Sequence, residues 1–165
     1  MLNEHRGFLN RLSDHGWRVS LQPTSRLLPR EIKTRYNWLP QNVEDFVTNL
    51  ETAVSPSETA WFLGLPDFSG TGSSAYRWNE WEELSLTAAT EDRQSSDAIR
   101  RFWDQHFPVT MSVKSGYAYF AVRMADMCVV RGDEPEFEET VVVASSFLGF
   151  LNLLADLDPN LSIWI

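Results

Sequence analysis

The sequence predicts an α+β fold: a single domain with a mainly antiparallel, or mixed, sheet packed against several helices. Three observations carry this. Apolar strand-like runs cluster between Val109 and Ala144 and are separated by short turn signals. After Ser145-Ser146 the apolar period changes from two to about 3.6. The 165 residues are 43% hydrophobic and 13% aromatic, which suits one domain with a full core and argues against disorder.

Taken in order, Leu2, His5, Phe8, Leu9 and Leu12 share one stripe of a helix over residues 2–15, stopped by Gly16. Trp17, Val19 and Leu21 alternate as a short strand ended by Pro23, so residues 1–25 read as a helix-strand extension that covers a sheet edge. Pro29 suits the first turn of a helix running to about Tyr36. Leu39-Pro40 is a break. Asn42 is the expected cap of a second helix, with Val43, Phe46, Val47 and Leu50 facing inward. Ser55-Pro56 is a turn. Trp61, Phe62 and Leu63 form an apolar cluster compatible with helix or strand. Pro66 to Ser74, rich in Gly and Ser, reads as a mobile surface loop. Asn79 is the expected cap of a short helix bearing Trp81 and Leu84. Ala88 to Ser96 reads as a polar loop, and Ser96 as the cap of a helix with Ile99, Phe102 and Trp103 inward. Phe107-Pro108 ends it.

A three- or four-stranded antiparallel meander follows. Val109, Met111 and Val113 alternate with Thr110, Ser112 and Lys114, which places the apolar set on one face. Lys114-Ser115-Gly116 is a turn signal. Tyr117 to Met124 is apolar on both faces, as in a central strand. Asp126 interrupts, Met127 to Val130 resumes, and Arg131-Gly132-Asp133 reads as a second turn. Thr140 to Ala144 is β-branched and strand-forming. Ser145 or Ser146 then caps a helix carrying Phe147, Phe150, Leu151 and Leu154, stopped by Asp158-Pro159.

The blocks FWDQHFPV, SVKSGYAYFAV, VVRGDEPEFEE and VVVASSFLGFLNLL, in that order, resemble the SUKH superfamily. Its members include the fungal Smi/Knr cell-wall regulators and many bacterial immunity proteins. The upstream pieces YNWLPQNVEDF, SETAWFL and RWNEWEELSL are similar to one bacterial branch, so the resemblance spans about Leu28 to Leu157. The family is broad and shares no catalytic motif. The resemblance implies a sheet backed by helices and a role in binding a protein partner.

Charge points the same way. Residues 1–40 hold seven basic and three acidic side chains, and residues 41–165 hold seven and twenty, for a net of −9. Direct nucleic-acid binding is disfavoured, because phosphate neutralisation needs clustered Lys and Arg. A basic protein partner is favoured, although solubility alone also accounts for such acidity. Cys128 is the one cysteine, so no internal disulfide forms and the compartment need not be oxidising. The start lacks a signal-peptide apolar core, and no run approaches the ~18 apolar residues of a membrane span, so a cytoplasmic location is expected.

The candidate partner-binding residues form two groups. Asp133, Glu134, Glu136, Glu138 and Glu139 crowd into seven positions around Phe137. Such carboxylates repel one another unless solvated or matched to cations, so the run suits either docking of a basic protein or a solvated inter-strand loop, with Phe137 as its anchor. Trp78, Trp81 and Glu83 lie beside the Gly/Ser loop, where aromatic residues serve an interface or a core. Trp61 and Trp103 read as core, and Trp164 either packs back or is an exposed end. Enzyme signals are weak. Glu80 and Glu83 share a helix face but paired glutamates usually face solvent. His5, His15 and His106 lack metal-ligand spacing, and His106 suits a helix C-terminus. Cys128 reads as a small buried hydrophobe, GTGSS lacks the lysine of a phosphate-binding loop, and no cofactor is implied.

Three functions follow from this reading: an immunity protein that blocks the active site of a basic toxin domain, an intracellular regulatory scaffold of the Smi/Knr type, or a small-ligand or enzymatic domain with a pocket near Trp78, Trp81 and Glu83.

Overall fold

The computed structural model describes residues 2–165, with side chains from His5 onward, so the side chain of Leu2 lies outside the described residues. Seven strands form one antiparallel sheet in the order of the chain. They are β1 (Arg18–Leu21), β2 (Leu50–Val54), β3 (Ala60–Phe62), β4 (His106–Ser112), β5 (Ala118–Arg123), β6 (Val129–Asp133) and β7 (Thr140–Ala144). The expected meander is β4 to β7, and β1 to β3 extend it. β1 pairs along β2 and is one edge strand of the sheet.

The helices are α1 (Leu2–Asp14), α2 (Arg30–Arg35), α3 (Gln41–Asn49), α4 (Leu65–Ser69), α5 (Glu80–Ala88), α6 (Arg93–Asp104), α7 (Phe147–Ala155) and α8 (Pro159–Ser162). They cover both sheet faces, because neighbouring strand residues point opposite ways. Phe62 and Phe120 meet Phe8, Phe46 and Phe150 from α1, α3 and α7. Trp61 and Tyr119 meet Tyr76 and Trp103 on the other side. α1 buries His5, Phe8, Leu9 and Leu12, so this first helix is part of the core. Gly16 ends it at φ +84, and Tyr36 follows α2 as expected.

Several local expectations are corrected. Asn42 lies inside α3, which starts after Pro40. Trp61 and Phe62 are in a strand. Pro66 to Ser69 belongs to α4, where the Asp67 carboxylate accepts from the Gly64 N–H at 2.8 Å. Asp92, not Ser96, caps α6, and its carboxylate accepts from the Ser95 N–H. Ser146 caps α7. Asp158 caps α8 rather than stopping α7, which ends at Ala155. Arg131-Gly132-Asp133 lies in β6, not in a turn. A Cβ at Gly132 would sit 2.5 Å from both the Phe137 carbonyl oxygen and the Tyr119 hydroxyl, so close approach, not turn geometry, calls for glycine there. Pro108 sits inside β4 at a register shift, the place where a missing N–H is tolerated. Cys128 is half-buried just before β6.

His106 opens β4 and still reaches α6. Its Nδ1 lies 2.7 Å from the Phe102 carbonyl, which can only accept, so Nδ1 donates. The ring stacks on Phe102 at 3.8 Å. Burial lowers its pKa from 6.5, with Arg123 pushing the same way and the Phe102 carbonyl and Asp126 opposing. The unfolded chain therefore binds the proton better. Stability from neutral His106 is complete above about pH 6.5 and falls as pH drops toward the lower folded value. Urea midpoints at about pH 7.5 and about pH 5.5 should show a loss that is smaller in His106→Gln; equal losses would remove His106 as its source.

Candidate interaction site

The acidic run forms the connection between β6 and β7 and is built on an aromatic cluster. Phe137 is buried and lies parallel to Trp81, with ring centroids 5.6 Å apart and planes within 5°. Tyr117 stacks on Trp81 at 4.6 Å, and Tyr76 closes the cluster against both. The Trp81 indole N–H donates to the Ala118 carbonyl at 3.1 Å. The Tyr119 hydroxyl donates to the Phe137 carbonyl at 2.5 Å, and burial raises its pKa. Tyr76 is raised mainly by its hydroxyl contact with Tyr117.

The five carboxylates separate by role. Asp133 lies 3.5 Å from the Arg131 guanidinium. Glu134 accepts from the Tyr117 N–H at 3.0 Å, while its own N–H donates to the Tyr117 carbonyl. Glu138 accepts from the Trp103 indole at 2.9 Å. These three serve the fold. Glu136 and Glu139 are exposed, and among the described residues neither holds an ion pair. The Glu139 N–H donates to the Glu136 carbonyl, which sets both side chains on one tight turn.

Trp81 is corrected from surface candidate to core. It is 2% exposed because Phe137, remote in sequence, lands on it. Trp78 is half-buried in a different cluster, against Tyr36 and Phe68, with the Arg35 guanidinium 5.8 Å from its ring. Glu83 accepts from Asn79, and Glu80 from Arg77. The structure thus joins Trp81 to the acidic loop but gives Trp78 and Glu83 to the Arg35 side of α5. Trp61 and Trp103 are buried as expected, and Trp164 packs back, 4.2 Å from the Arg131 guanidinium. Ser112 and Lys114 hold this tail by its carbonyls.

A partly buried charge network was not legible in the sequence. Arg35 donates two hydrogen bonds to Glu82, at 2.7 and 2.9 Å, and one to Asp104 at 2.8 Å. Burial pulls the Arg35 pKa down, but the bonds to Glu82 and Asp104 together with the nearby Tyr36 and Glu82 charges outweigh it, and the net shift is upward. Arg35, Glu82, Glu83, Arg100 and Asp104 line a shallow recess of about 460 Å³. A larger groove of about 860 Å³ is lined by Arg18, Ser20, Thr52, Val54 and Trp61 from β1 to β3 and by Tyr76. Neither concavity is enclosed by Trp78, Trp81 and Glu83 together. Among the described residues, no group of three His, Cys, Asp or Glu is placed to hold a metal ion, and no helix is long and apolar enough to cross a membrane.

Comparison with protein-family models, with curated proteins and with solved structures finds no match for this chain.

Proposed function

We propose that the protein is a non-enzymatic protein-binding domain: an immunity protein of the SUKH type, acting in the cytoplasm, that docks a basic bacterial toxin domain on its acidic loop and blocks the toxin's active site. The observation that supports this most is the pairing of exposed Glu136 and Glu139 with a buried Phe137 between them. A loop already ordered gives up little entropy on binding. Its charge, with a net of −9 behind it, speeds encounter with a cation-rich surface.

The test is stopped-flow association, at several salt concentrations, with the basic toxin domain that this reading expects in a neighbouring gene. The doubly substituted variant Glu136→Lys with Glu139→Lys should associate about tenfold more slowly at low salt and show a flatter salt dependence. Its thermal unfolding should be unchanged, since both side chains are exposed. Unaltered kinetics would remove the loop from the mechanism. Several weak partners in place of one tight one would favour the regulatory-scaffold reading.

A further inference from the structure

We infer that β7 is a recognition edge: it accepts an extended, β-branched strand carrying lysine or arginine at its C-terminal end, supplied by the basic partner. The inference rests on the protein-binding reading above and specifies how that partner would be held.

The two edges of the sheet are built differently. β1 has four residues, carries Arg18, and is followed by Pro23 and Arg26. Short length, charge and proline are the devices that keep an edge from pairing. β7, Thr-Val-Val-Val-Ala, is one residue longer and has no charge or proline within the strand. Val141 is 50% exposed and Val142 54%, although adjacent strand residues point to opposite faces. The edge is therefore open from both sides. Thr140 to Val142 and Ala144 register with β6, and among the described residues no backbone bond joins β7 to anything on its outer side.

Chain continuity supplies the charge term. Glu139 directly precedes Thr140, so Glu136 and Glu139 stand at the start of the open edge. Every strand pair in this sheet is antiparallel. A strand added in the same sense would run its C-terminal end past these carboxylates. Backbone bonds along β7 would hold the added strand, its alternate side chains would cover Val141 or Val142, and terminal cations would meet Glu136 and Glu139. A second copy of this chain fits less well: it carries the same net charge of −9, and a five-residue edge alone falls well short of the roughly 800 Å² per partner of a standard interface.

The probe is a capped peptide of five alternating threonine and valine residues followed by two lysines, titrated into isotope-labelled full-length protein and followed by amide NMR shifts. Shifts should map to residues 136–144. A peptide with glycine and serine in place of the β-branched residues should bind about tenfold more weakly or worse. Val141→Pro and Val142→Pro are both made, because one of these two N–H groups faces outward. The variant that retains the parent melting curve should lose the peptide. The inference is overturned if the glycine-serine peptide binds equally, if shifts fall on Arg18–Leu21, or if none appear up to roughly 1 mM. It is also overturned if the parent self-associates and the proline variant does not, which would make a second copy the occupant. Failure of the toxin reading is separable: the peptide would still bind, while toxin association would be indifferent to charge reversal at Glu136 and Glu139.

Discussion

Glu82→Ala should lower the unfolding free energy by about 3 kcal/mol, the low end of the range for breaking a buried ion pair. The size follows from what is left behind. Glu82 is 5% exposed and takes two of Arg35's hydrogen bonds, so its removal strands a guanidinium packed against Tyr36 and Trp78. The remaining partner, Asp104, is half-exposed and compensates only in part. Replacing both charged residues, Arg35→Met with Glu82→Leu, should cost much less, because the one charge then left without its partner is Asp104, which is half-exposed and solvated. Urea unfolding of the single and double variants measures both. A loss under about 1 kcal/mol for Glu82→Ala would show that solvent reaches Arg35 well enough to replace the carboxylate.

Trp81→Ala should cost about 3–5 kcal/mol, as expected for deleting a large buried aromatic side chain. It removes the stacks on Tyr117 and Phe137 and the bond to the Ala118 carbonyl together. Trp81→Phe retains stacking and should cost about 1–2 kcal/mol, mostly for the lost indole bond to the Ala118 carbonyl. The informative readout is local. Hydrogen exchange at residues 133–139 should speed up in Trp81→Ala well beyond the global change, since Phe137 loses its clamp. Protection in that loop that tracks only global stability would mean the Tyr119 bond to the Phe137 carbonyl holds it without Trp81.

These two positions mark where the reading of the sequence ended. Glu82 lies 47 residues from Arg35, and Asp104 lies 69. Nothing local distinguishes Glu82 from Glu80 and Glu83, which are only half-buried. Trp81 likewise reads equally well as surface or core until the β6–β7 connection brings Phe137 onto it. β2 was missed for a related reason. Leu50 continues the apolar stripe of α3, and no Gly or Pro separates helix from strand. The switch at Leu50 comes from pairing with β1. Without β2, the groove over Thr52, Val54 and Trp61 could not be read either.

What the sequence determined by itself is the set of features that depend on neighbours a few residues away. The long apolar alternations give β4 to β7 and the shift of period gives α7. The Phe8–Leu12 stripe gives α1, and crowded carboxylates with one phenylalanine give the acidic loop and its anchor. Period and local charge are properties of a short window of chain, and they survive into the fold. The tertiary structure alone decided which carboxylates are free, which tryptophan is interior, and which strand is an open edge. Each of these depends on a group that arrives from far along the chain, and burial is settled by that arrival rather than by side-chain type. Glu138 is taken by Trp103 and Glu134 by Tyr117, whereas Glu136 and Glu139 remain beside the uncovered side of β7.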